Sequence, residues 1–468
     1  MYRRREFLAS MGAALLSPAL SQIERLERRG PVQTVVVLGA GLAGMAAAYE
    51  LRNVGHRVTV VEAQRRPGGR VRTLREGFAP GLYVEAGPET IPGVHDLTQH
   101  YARSFGLRLV PATVPNTRAV YFVRGQRITP AEATQWPFEL TSEEQQLGLS
   151  GLFKKYIDEA TQQALTAGYA QQPVRALSTW DRQTPGAWLR SKGASTGAAE
   201  LLTLGFGTDF GSAASFLLHR LNSMGGTTSY RIEGGNDRLA EEFSKRVEIR
   251  YGAPVRAVAQ DDRGVSVTIG RAGGAETLQA DRVICAMPCP VIGTIFQDAR
   301  LSIAKQRAIR DQHYSRTAKV FLQTRTRFWL KDGFNGFVTT DLPIERLTPD
   351  PGADTGARGA LTAYPIGGYT STLEAMNEDE RVQSALAQAT QIFPELSDAF
   401  EGGVSHCWGL DPWQRGSFAL HTPGQIGYID TLAQSEGRIH FAGEHTSIWT
   451  GWMQGALDSA RRVVREIG

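Results

Sequence analysis

Cysteine is scarce in this chain, with three residues among 468. Cys285 and Cys289 are four positions apart, which is not a Cys-x-x-Cys spacing, and Cys407 is far from both. Three cysteines in this arrangement make neither a disulfide framework nor a zinc-ligand pattern. We therefore predict three buried thiols and no metal site.

An excess of one charge sign is also lacking. The formal net charge is +4, and the first 21 residues contribute +2 of it through Arg3, Arg4 and Arg5 against Glu6. The remaining +2 is dispersed, without a block of five or six like charges. Beyond the first 21 residues no run of 18 apolar residues occurs. The sequence thus predicts no nucleic-acid partner and no membrane span.

The N-terminus carries the pattern of an export signal. Residues 4–8 read RREFL, a twin-arginine pattern, and an apolar stretch follows over residues 8–20. Residues 19–21 (ALS) form a small-x-small cleavage site. We predict that residues 1–21 are a bacterial twin-arginine signal peptide, which places the protein in the periplasm or outside the cell. The alternative is a basic terminus with a chance arginine pair.

The chain is longer than a single core usually supports, so two domains are expected. The first element is predicted at Thr34–Leu38, where an unbroken valine run indicates a strand buried on both faces. A helix is predicted over residues 42–54 and a second strand over residues 58–61. This is a βαβ unit, which indicates a parallel sheet and an α/β fold.

The turn between the first strand and the helix reads GAGLAG at residues 39–44. Such a turn lets the backbone approach a dinucleotide pyrophosphate and lets the helix pack closely on the strand, with the helix N-terminus facing the phosphate charge. Glu62 ends the second strand, where a carboxylate can accept hydrogen bonds from ribose hydroxyls. The predicted contacts to a dinucleotide are Gly39, Gly41, Leu42, Ala43, Gly44, Glu62 and Ala63.

A second glycine pair follows closely, in GGRVRT at residues 68–73. Gly69 lets this loop pass near a cofactor, and Arg70 can neutralise phosphate or flavin charge. A glutamate followed by GGR resembles the FAD-binding signature of the flavin monoamine oxidase and L-amino acid oxidase family. An NAD enzyme does not need this second element, so the resemblance points to FAD.

The resemblance extends over nearly the whole chain after residue 21. It includes GGNDRL at 234–239, PVR at 254–256, ADRVI at 280–284, FAGEHTS at 441–447 and GWMQGA at 451–456. It implies that Val255 contacts adenine, that Gly443 and Glu444 hold the ribityl or pyrophosphate region, and that Met453 opens a helix against the flavin N1–C2=O edge. It also implies non-covalent FAD, because no cysteine lies in the C-terminal motif.

The same resemblance implies an α/β fold with an α+β substrate part. A Rossmann-type FAD-binding domain would comprise residues 32–95, 230–300 and 425–468. A substrate-binding domain would comprise residues 96–229 and 301–424, so the two are interleaved in sequence. Residues 96–229 are expected to be mainly helical. Whether two chains associate as a homodimer is left open.

Lys319 is the first of three predicted catalytic residues. In the alternating stretch TAKVFL at residues 317–322, Lys319 shares a strand face with Thr317 and Phe321. An ammonium on such a strand is costly unless it is used. It resembles the family lysine that reaches flavin N5 through a water and assists reoxidation by O2. The alternative is an edge-strand lysine whose ammonium reaches solvent.

Three positions bear on the substrate class. Trp452 resembles the tryptophan that forms one wall of the substrate site in L-amino acid oxidases. Tyr364 resembles the tyrosine that helps to bind the substrate carboxylate in those enzymes. However, Thr90 stands where those enzymes have an arginine that clamps the carboxylate. Arg118 and Arg231 are candidate replacements.

The predicted reaction is oxidative deamination of an L-amino acid to a keto acid, ammonia and hydrogen peroxide, by hydride transfer to flavin N5. If the substrate has no α-carboxylate, the alternative is an oxidase of primary or secondary amines, of the monoamine or polyamine type. A desaturase-like enzyme and a catalytically silent FAD-binding protein are further alternatives, which the presence of Lys319, Trp452 and Tyr364 disfavours.

Overall fold

The computed structural model describes residues 23–112, 118–130, 135–205, 211–223, 228–293, 295–350 and 356–468. The predicted signal peptide, residues 1–21, lies outside these ranges. Within them, no helix combines the length and the apolarity that crossing a bilayer requires.

The strands are numbered in chain order. They are β1 (Thr34–Leu38), β2 (Arg57–Val61), β3 (Thr73–Leu74), β4 (Val84–Glu85), β5 (Ile91–Pro92), β6 (Leu109–Pro111), β7 (Arg118–Val123), β8 (Gln126–Ile128), β9 (Ser229–Ile232), β10 (Ile249–Arg250), β11 (Val255–Gln260), β12 (Val265–Arg271), β13 (Gly274–Ala280), β14 (Arg282–Cys285), β15 (Tyr314–Ser315), β16 (Ala318–Thr324), β17 (Phe334–Thr340), β18 (Arg346–Pro349), β19 (Gly359–Ala363), β20 (Phe400–Cys407), β21 (Phe418–Ala419) and β22 (Ile439–Phe441).

The α-helices are numbered in the same way. They are α1 (Leu42–Asn53), α2 (Asp96–Ser104), α3 (Ser142–Phe153), α4 (Glu159–Thr166), α5 (Pro173–Leu177), α6 (Pro185–Ser191), α7 (Thr196–Thr203), α8 (Ala213–Ser223), α9 (Asp237–Ser244), α10 (Cys289–Ile292), α11 (Ile303–Asp311), α12 (Tyr369–Ala375), α13 (Glu378–Ile392), α14 (Leu396–Ala399), α15 (Tyr428–Ala433) and α16 (Met453–Ile467).

A five-stranded parallel sheet with the order β10-β2-β1-β14-β22 organises one half of the molecule. The two faces of β1 enter two different cores, because side chains alternate along a strand. Val35 and Val37 pack with residues of α1 and α16, while Val36 and Leu38 pack with residues of the antiparallel sheet β11-β12-β13. Burial on both faces accounts for the unbroken valine run of this strand.

A seven-stranded mixed sheet with the order β20-β16-β19-β18-β17-β7-β8 organises the other half. Its pairs are antiparallel except for β17 with β7, which are parallel. Helix α13 packs on it through an apolar face that includes Val382, Ala385 and Ala389. A helical core drawn mainly from residues of α3 to α8 lies beside the sheet.

The predicted fold class is confirmed: a parallel sheet of the dinucleotide-binding type stands beside a mixed sheet. The strands of the parallel sheet come from three separated stretches of chain, at residues 34–61, 249–285 and 439–441. The domain limits given above stay a prediction. The described part of residues 96–229 is mainly helical, as predicted, and it also contains β6, β7 and β8. Two of these, β7 and β8, join the edge of the mixed sheet, where they pair with β17 and with each other.

Candidate active site

Two adjoining cavities lie between the parallel and the mixed sheet. The first cavity is lined by nearly all of the residues that the sequence assigns to cofactor binding: Gly39, Gly41, Leu42, Ala43, Glu62, Ala63, Gly69, Arg70, Val255, Gly443, Glu444, Trp452 and Met453. The exception is Gly44, which does not line it. The three predicted catalytic residues, Lys319, Tyr364 and Trp452, line both cavities.

The glycine turn brings the backbone to the wall of the first cavity. Gly39 has a φ of 102°, in the region that favours glycine. A Cβ on Gly44 would collide with the carbonyl oxygen of Gly39, so this glycine lets α1 pack against the turn. A Cβ on Gly41 would meet no atom within 4 Å. Gly41 is also the N-cap of α1 and makes no side-chain cap, which leaves the helix N-terminus facing the cavity.

Glu62 is held in place by backbone donors. Its Oε2 accepts a hydrogen bond from the Ala40 amide at 2.7 Å, and its Oε1 accepts one from the Gln64 amide at 2.8 Å. Burial raises the pKa of this carboxyl, although the backbone hydrogen bonds and Arg66 oppose the rise. Each carboxylate oxygen can accept more than one hydrogen bond, so Glu62 can still bind a hydroxyl pair.

Arg70 and Glu444 pair with each other across the first cavity. The Arg70 guanidinium donates to Glu444 Oε1 at 2.7 Å and to the Ser417 carbonyl at 3.1 Å. Glu444 Oε2 accepts from the Gly451 amide at 2.8 Å. This ion pair ties the second glycine loop to the C-terminal motif, which are 374 residues apart in sequence.

Helix α16 starts at the junction of the two cavities. Trp452 is its N-cap and makes no side-chain cap, and Met453 is its first residue. The helix N-terminus therefore presents uncapped amides and a partial positive charge to the first cavity, as the motif predicts. The Trp452 ring forms one wall of the second cavity, and Phe418 forms another.

Lys319 lies on β16, between β19 and β20, with 2% of its side chain exposed. The alternative of an ammonium that reaches solvent is therefore wrong. Its Nζ donates to the carbonyls of Glu85 at 2.9 Å and Gly87 at 2.8 Å, and lies 2.7 Å from Glu89 Oε1. Burial acts to lower the pKa of Lys319, but Glu89 and Tyr364 outweigh it and the pKa is raised. The ammonium stays charged.

Tyr364 stands between two cations. Lys319 Nζ lies 4.6 Å from the centroid of the Tyr364 ring, and the guanidinium carbon of Arg346 lies 4.5 Å from it. Arg346 lines the second cavity together with Thr90. Its Nε is buried and has no hydrogen-bond partner, and no carboxylate of the described residues forms an ion pair with it.

The two arginines offered by the sequence as carboxylate clamps do not line either cavity, so that expectation was wrong. Arg118 is exposed on β7 and donates to the Asp332 carbonyl at 3.0 Å. Arg231 is buried in β9, beside β5 and β6. Arg346 belongs to no motif, and only the pairing of β18 with β19 brings it beside Tyr364.

His219, on α8, is a cavity residue that the sequence did not indicate. Its ring stacks on that of Trp452, with centroids 5.8 Å apart and an interplanar angle of 19°. Burial, reinforced by Arg346, lowers the pKa of His219 to about 4. The imidazole is therefore neutral at pH 7.

The cysteines behave as the sequence predicts. Cys285, Cys289 and Cys407 are free and buried, and none lines either cavity. Among the described residues no group of three or more His, Cys, Asp or Glu side chains could hold a metal ion.

Known proteins are similar to this chain in both sequence and fold. The family model described as flavin containing amine oxidoreductase matches residues 42–468. The protein named "Putative L-amino-acid oxidase YobN" from Bacillus subtilis (strain 168) is 31% identical over 463 residues, covering 92% of this chain and 94% of the relative. An L-amino-acid oxidase from Siganus canaliculatus is 30% identical over 452 residues, covering 92% and 85%.

Among solved structures, cyclohexylamine oxidase from Brevibacterium oxydans IH-35A superposes with a TM-score of 0.79 at 22% identity, covering 93% of this chain and 99% of that chain. Wild-type putrescine oxidase bound to putrescine gives a TM-score of 0.78 at 21% identity, covering 94% and 99%. At these identities the likeness shows the fold. Taken with the family match over residues 42–468, it shows that this chain belongs to the flavin containing amine oxidoreductases and is a flavin-dependent amine oxidase.

Proposed function

We propose that the protein oxidises an L-amino acid to a keto acid, ammonia and hydrogen peroxide. The observation that carries this proposal is Arg346, whose guanidinium lies beside Tyr364 at the second cavity and forms no ion pair with a carboxylate of the described residues. A planar guanidinium is the best side chain for holding a carboxylate through paired hydrogen bonds. Arg346 thus supplies the clamp that Thr90 cannot, and the similarity to L-amino-acid oxidases supports an L-amino acid.

The charge of the second cavity supports the same substrate. Its charged side chains in the described ranges are Glu89, Lys319 and Arg346, since His219 is neutral at pH 7. Glu89 and Lys319 cancel each other, so Arg346 leaves one positive charge. An amino acid with a neutral amine carries one negative charge, and this is the form that can lose a hydride. A simple amine would leave Arg346 unpaired, which is costly in a desolvated site.

The residues of the first cavity fit FAD. Two helix N-termini, at Gly41 and Trp452, face it without side-chain caps, and Glu62 offers a fixed acceptor for hydroxyl groups. FAD supplies the two-electron acceptor for the substrate hydride and passes the electrons to O2. Because no cysteine of the described residues lines this cavity, we propose non-covalent binding. Acid precipitation of the protein should release all of the flavin into the supernatant.

In this proposal Lys319 assists the reaction with O2. Lys319→Met is expected to slow the return of the oxidised-flavin absorbance in air by about 10²-fold, because a buried ammonium stabilises the negative charge that O2 acquires. On the plateau above the acidic limb of the rate–pH profile, anaerobic bleaching by substrate should change by less than about tenfold. Stopped-flow absorbance measures both halves of the reaction.

Lys331→Met is the matched control, since Lys331 is exposed and outside both cavities. Equal slowing of both half-reactions by Lys319→Met would show that the lysine holds the site together and has no particular role with O2.

A second candidate function is the oxidation of amines that lack a carboxylate. It is favoured by Thr90, which lines the second cavity at the position where a carboxylate-binding arginine was expected. Assays of peroxide and ammonia with a panel of L-amino acids and their decarboxylated amines distinguish the two. Turnover of amino acids supports the first proposal, and turnover of amines alone replaces it with the second.

We also propose that residues 1–21 direct export by the twin-arginine route. The support is the sequence pattern RREFL at residues 4–8. Replacing Arg4 and Arg5 with lysine should leave the protein in the cytoplasmic fraction, and unchanged export would contradict the proposal.

A further inference from the structure

Glu89 places a carboxylate at the second cavity. Neither the binding of a substrate carboxylate by Arg346 nor the role of Lys319 in the reaction with O2 uses it directly. Its Oε1 is buried and lies 2.7 Å from Lys319 Nζ, while 22% of the side chain is exposed. Glu89 lines the cavity that would hold the substrate, so a bound amine comes close to this residue.

During amine oxidation, positive charge develops on the substrate nitrogen, and a nearby carboxylate can stabilise it. As the C–H bond breaks and its electron pair leaves as hydride, the nitrogen lone pair forms the C=N bond. The nitrogen thereby changes from a neutral amine to a positively charged iminium. An anion near the nitrogen stabilises the transition state more than the bound amine, and only such a difference accelerates the reaction.

The other titratable groups that line the second cavity in the described ranges do not supply a negative charge. Lys319 and Arg346 are cations, and His219 is neutral with a pKa of about 4. Tyr364 contributes an aromatic ring between the two cations.

Glu85 lies behind the cavity wall, where burial raises its pKa to about 8. Its carboxyl accepts hydrogen bonds from the Asn236 backbone amide and the Thr73 hydroxyl. The carboxylate of Asp350 accepts from the Glu85 amide. Neither of these two side chains lines the second cavity, whereas Glu89 does.

We propose that Glu89 accepts a hydrogen bond from the substrate amine and stabilises the positive charge that develops on its nitrogen. The N–H bond stays intact in this step. The C–H bond breaks, its hydrogen would leave with both bonding electrons as hydride to the flavin, and the nitrogen lone pair forms the C=N bond. The inference rests on amine oxidation, which an amino acid and a simple amine share, and it does not require the carboxylate contact of Arg346.

The pairing with Lys319 makes this role compatible with a neutral amine. An isolated carboxylate would hold the substrate as an ammonium, which has no lone pair to release. Lys319 contacts Glu89 Oε1 and offsets part of the carboxylate charge, so this anion favours the ammonium less strongly than an isolated carboxylate would. The positive charge of Arg346 also disfavours the ammonium form of the substrate.

Glu89→Gln keeps the size of the side chain and removes its charge. It is expected to lower the limiting rate of anaerobic flavin bleaching by about 10²-fold, the loss typical of one transition-state electrostatic contact. The decrease should be similar for an L-amino acid and for its decarboxylated amine. The acidic limb of the rate–pH profile should move to lower pH, because removing the anion lowers the pKa of the bound ammonium. Glu89→Asp should recover part of the rate.

The matched control is Glu401→Gln, which breaks an ion pair of similar length, 2.8 Å, with the more exposed Arg358 outside both cavities. A second arm repeats Glu89→Gln in the Lys319→Met background. If Glu89 acts on the substrate, the limiting rate above the acidic limb falls again in that background; if it acts only by holding Lys319, the second substitution adds nothing and the inference is overturned.

An unshifted pH profile in Glu89→Gln would also overturn it. If the wild-type enzyme oxidises only amines, the proposal of an amino acid substrate is wrong, but the proposed role of Glu89 is unaffected.

Discussion

Arg346→Met is expected to lower kcat/KM for an L-amino acid by about 10²–10³-fold, because truncating one partner of a desolvated, hydrogen-bonded charge pair costs roughly 2–5 kcal/mol. For the decarboxylated amine of the same side chain, kcat/KM should stay within about threefold of wild type, since that molecule has no carboxylate for Arg346 to bind. Methionine preserves most of the packing volume of arginine and lacks its charge. The measurement is steady-state peroxide formation with both substrates.

Arg118→Met is the matched control for this experiment. Arg118 is an exposed arginine of the same mixed sheet and lines neither cavity, so its substitution should leave both values unchanged. An Arg346→Met enzyme that loses activity equally with the amino acid and the amine would show that Arg346 shapes the cavity without binding the carboxylate.

Gly44→Ala is the second substitution with a large expected effect. Its Cβ would collide with the Gly39 carbonyl oxygen, and this oxygen belongs to the turn backbone, which cannot rotate away as a flexible side chain can. Helix α1 would have to move away from the turn, at a cost of about 3 kcal/mol, the upper part of the usual range for overpacking. A lower thermal midpoint is expected even for the flavin-free protein, together with loss of bound FAD.

Gly41→Ala separates cofactor binding from folding. A Cβ on Gly41 would meet no protein atom within 4 Å, and its φ of −70° suits alanine. The flavin-free variant should therefore unfold at the wild-type temperature and yet bind FAD more weakly, because the methyl group would occupy the space where the pyrophosphate approaches the backbone. Wild-type FAD affinity in Gly41→Ala would contradict the assignment of this turn to the cofactor.

The parallel sheet and the first cavity were predictable because their signals are local in sequence. The valine run of β1, the glycine turn and Glu62 lie within 29 consecutive positions, from Thr34 to Glu62, and each has a physical meaning by itself. Burial on both faces requires an apolar run, and a close helix–strand contact requires Gly44. The structure brings these residues together where the pattern indicates.

The second cavity was less predictable because its contacts join distant segments. Alternation along β16 correctly placed Lys319 on the face of Phe321, away from Val320, but it could not identify Glu89 as the partner, 230 positions earlier. Arg346 had no motif around it. Its position depends on the register of β18 against β19, which is set by tertiary packing.

The most direct test of the account is anaerobic bleaching of the wild-type flavin by an L-amino acid and by its decarboxylated amine, measured side by side. We expect rapid bleaching by the amino acid and at least about 10²-fold slower bleaching by the amine at equal concentration, since only the amino acid can pair with Arg346. Equal bleaching by both, or bleaching by the amine alone, would contradict the claim that Arg346 selects a carboxylate.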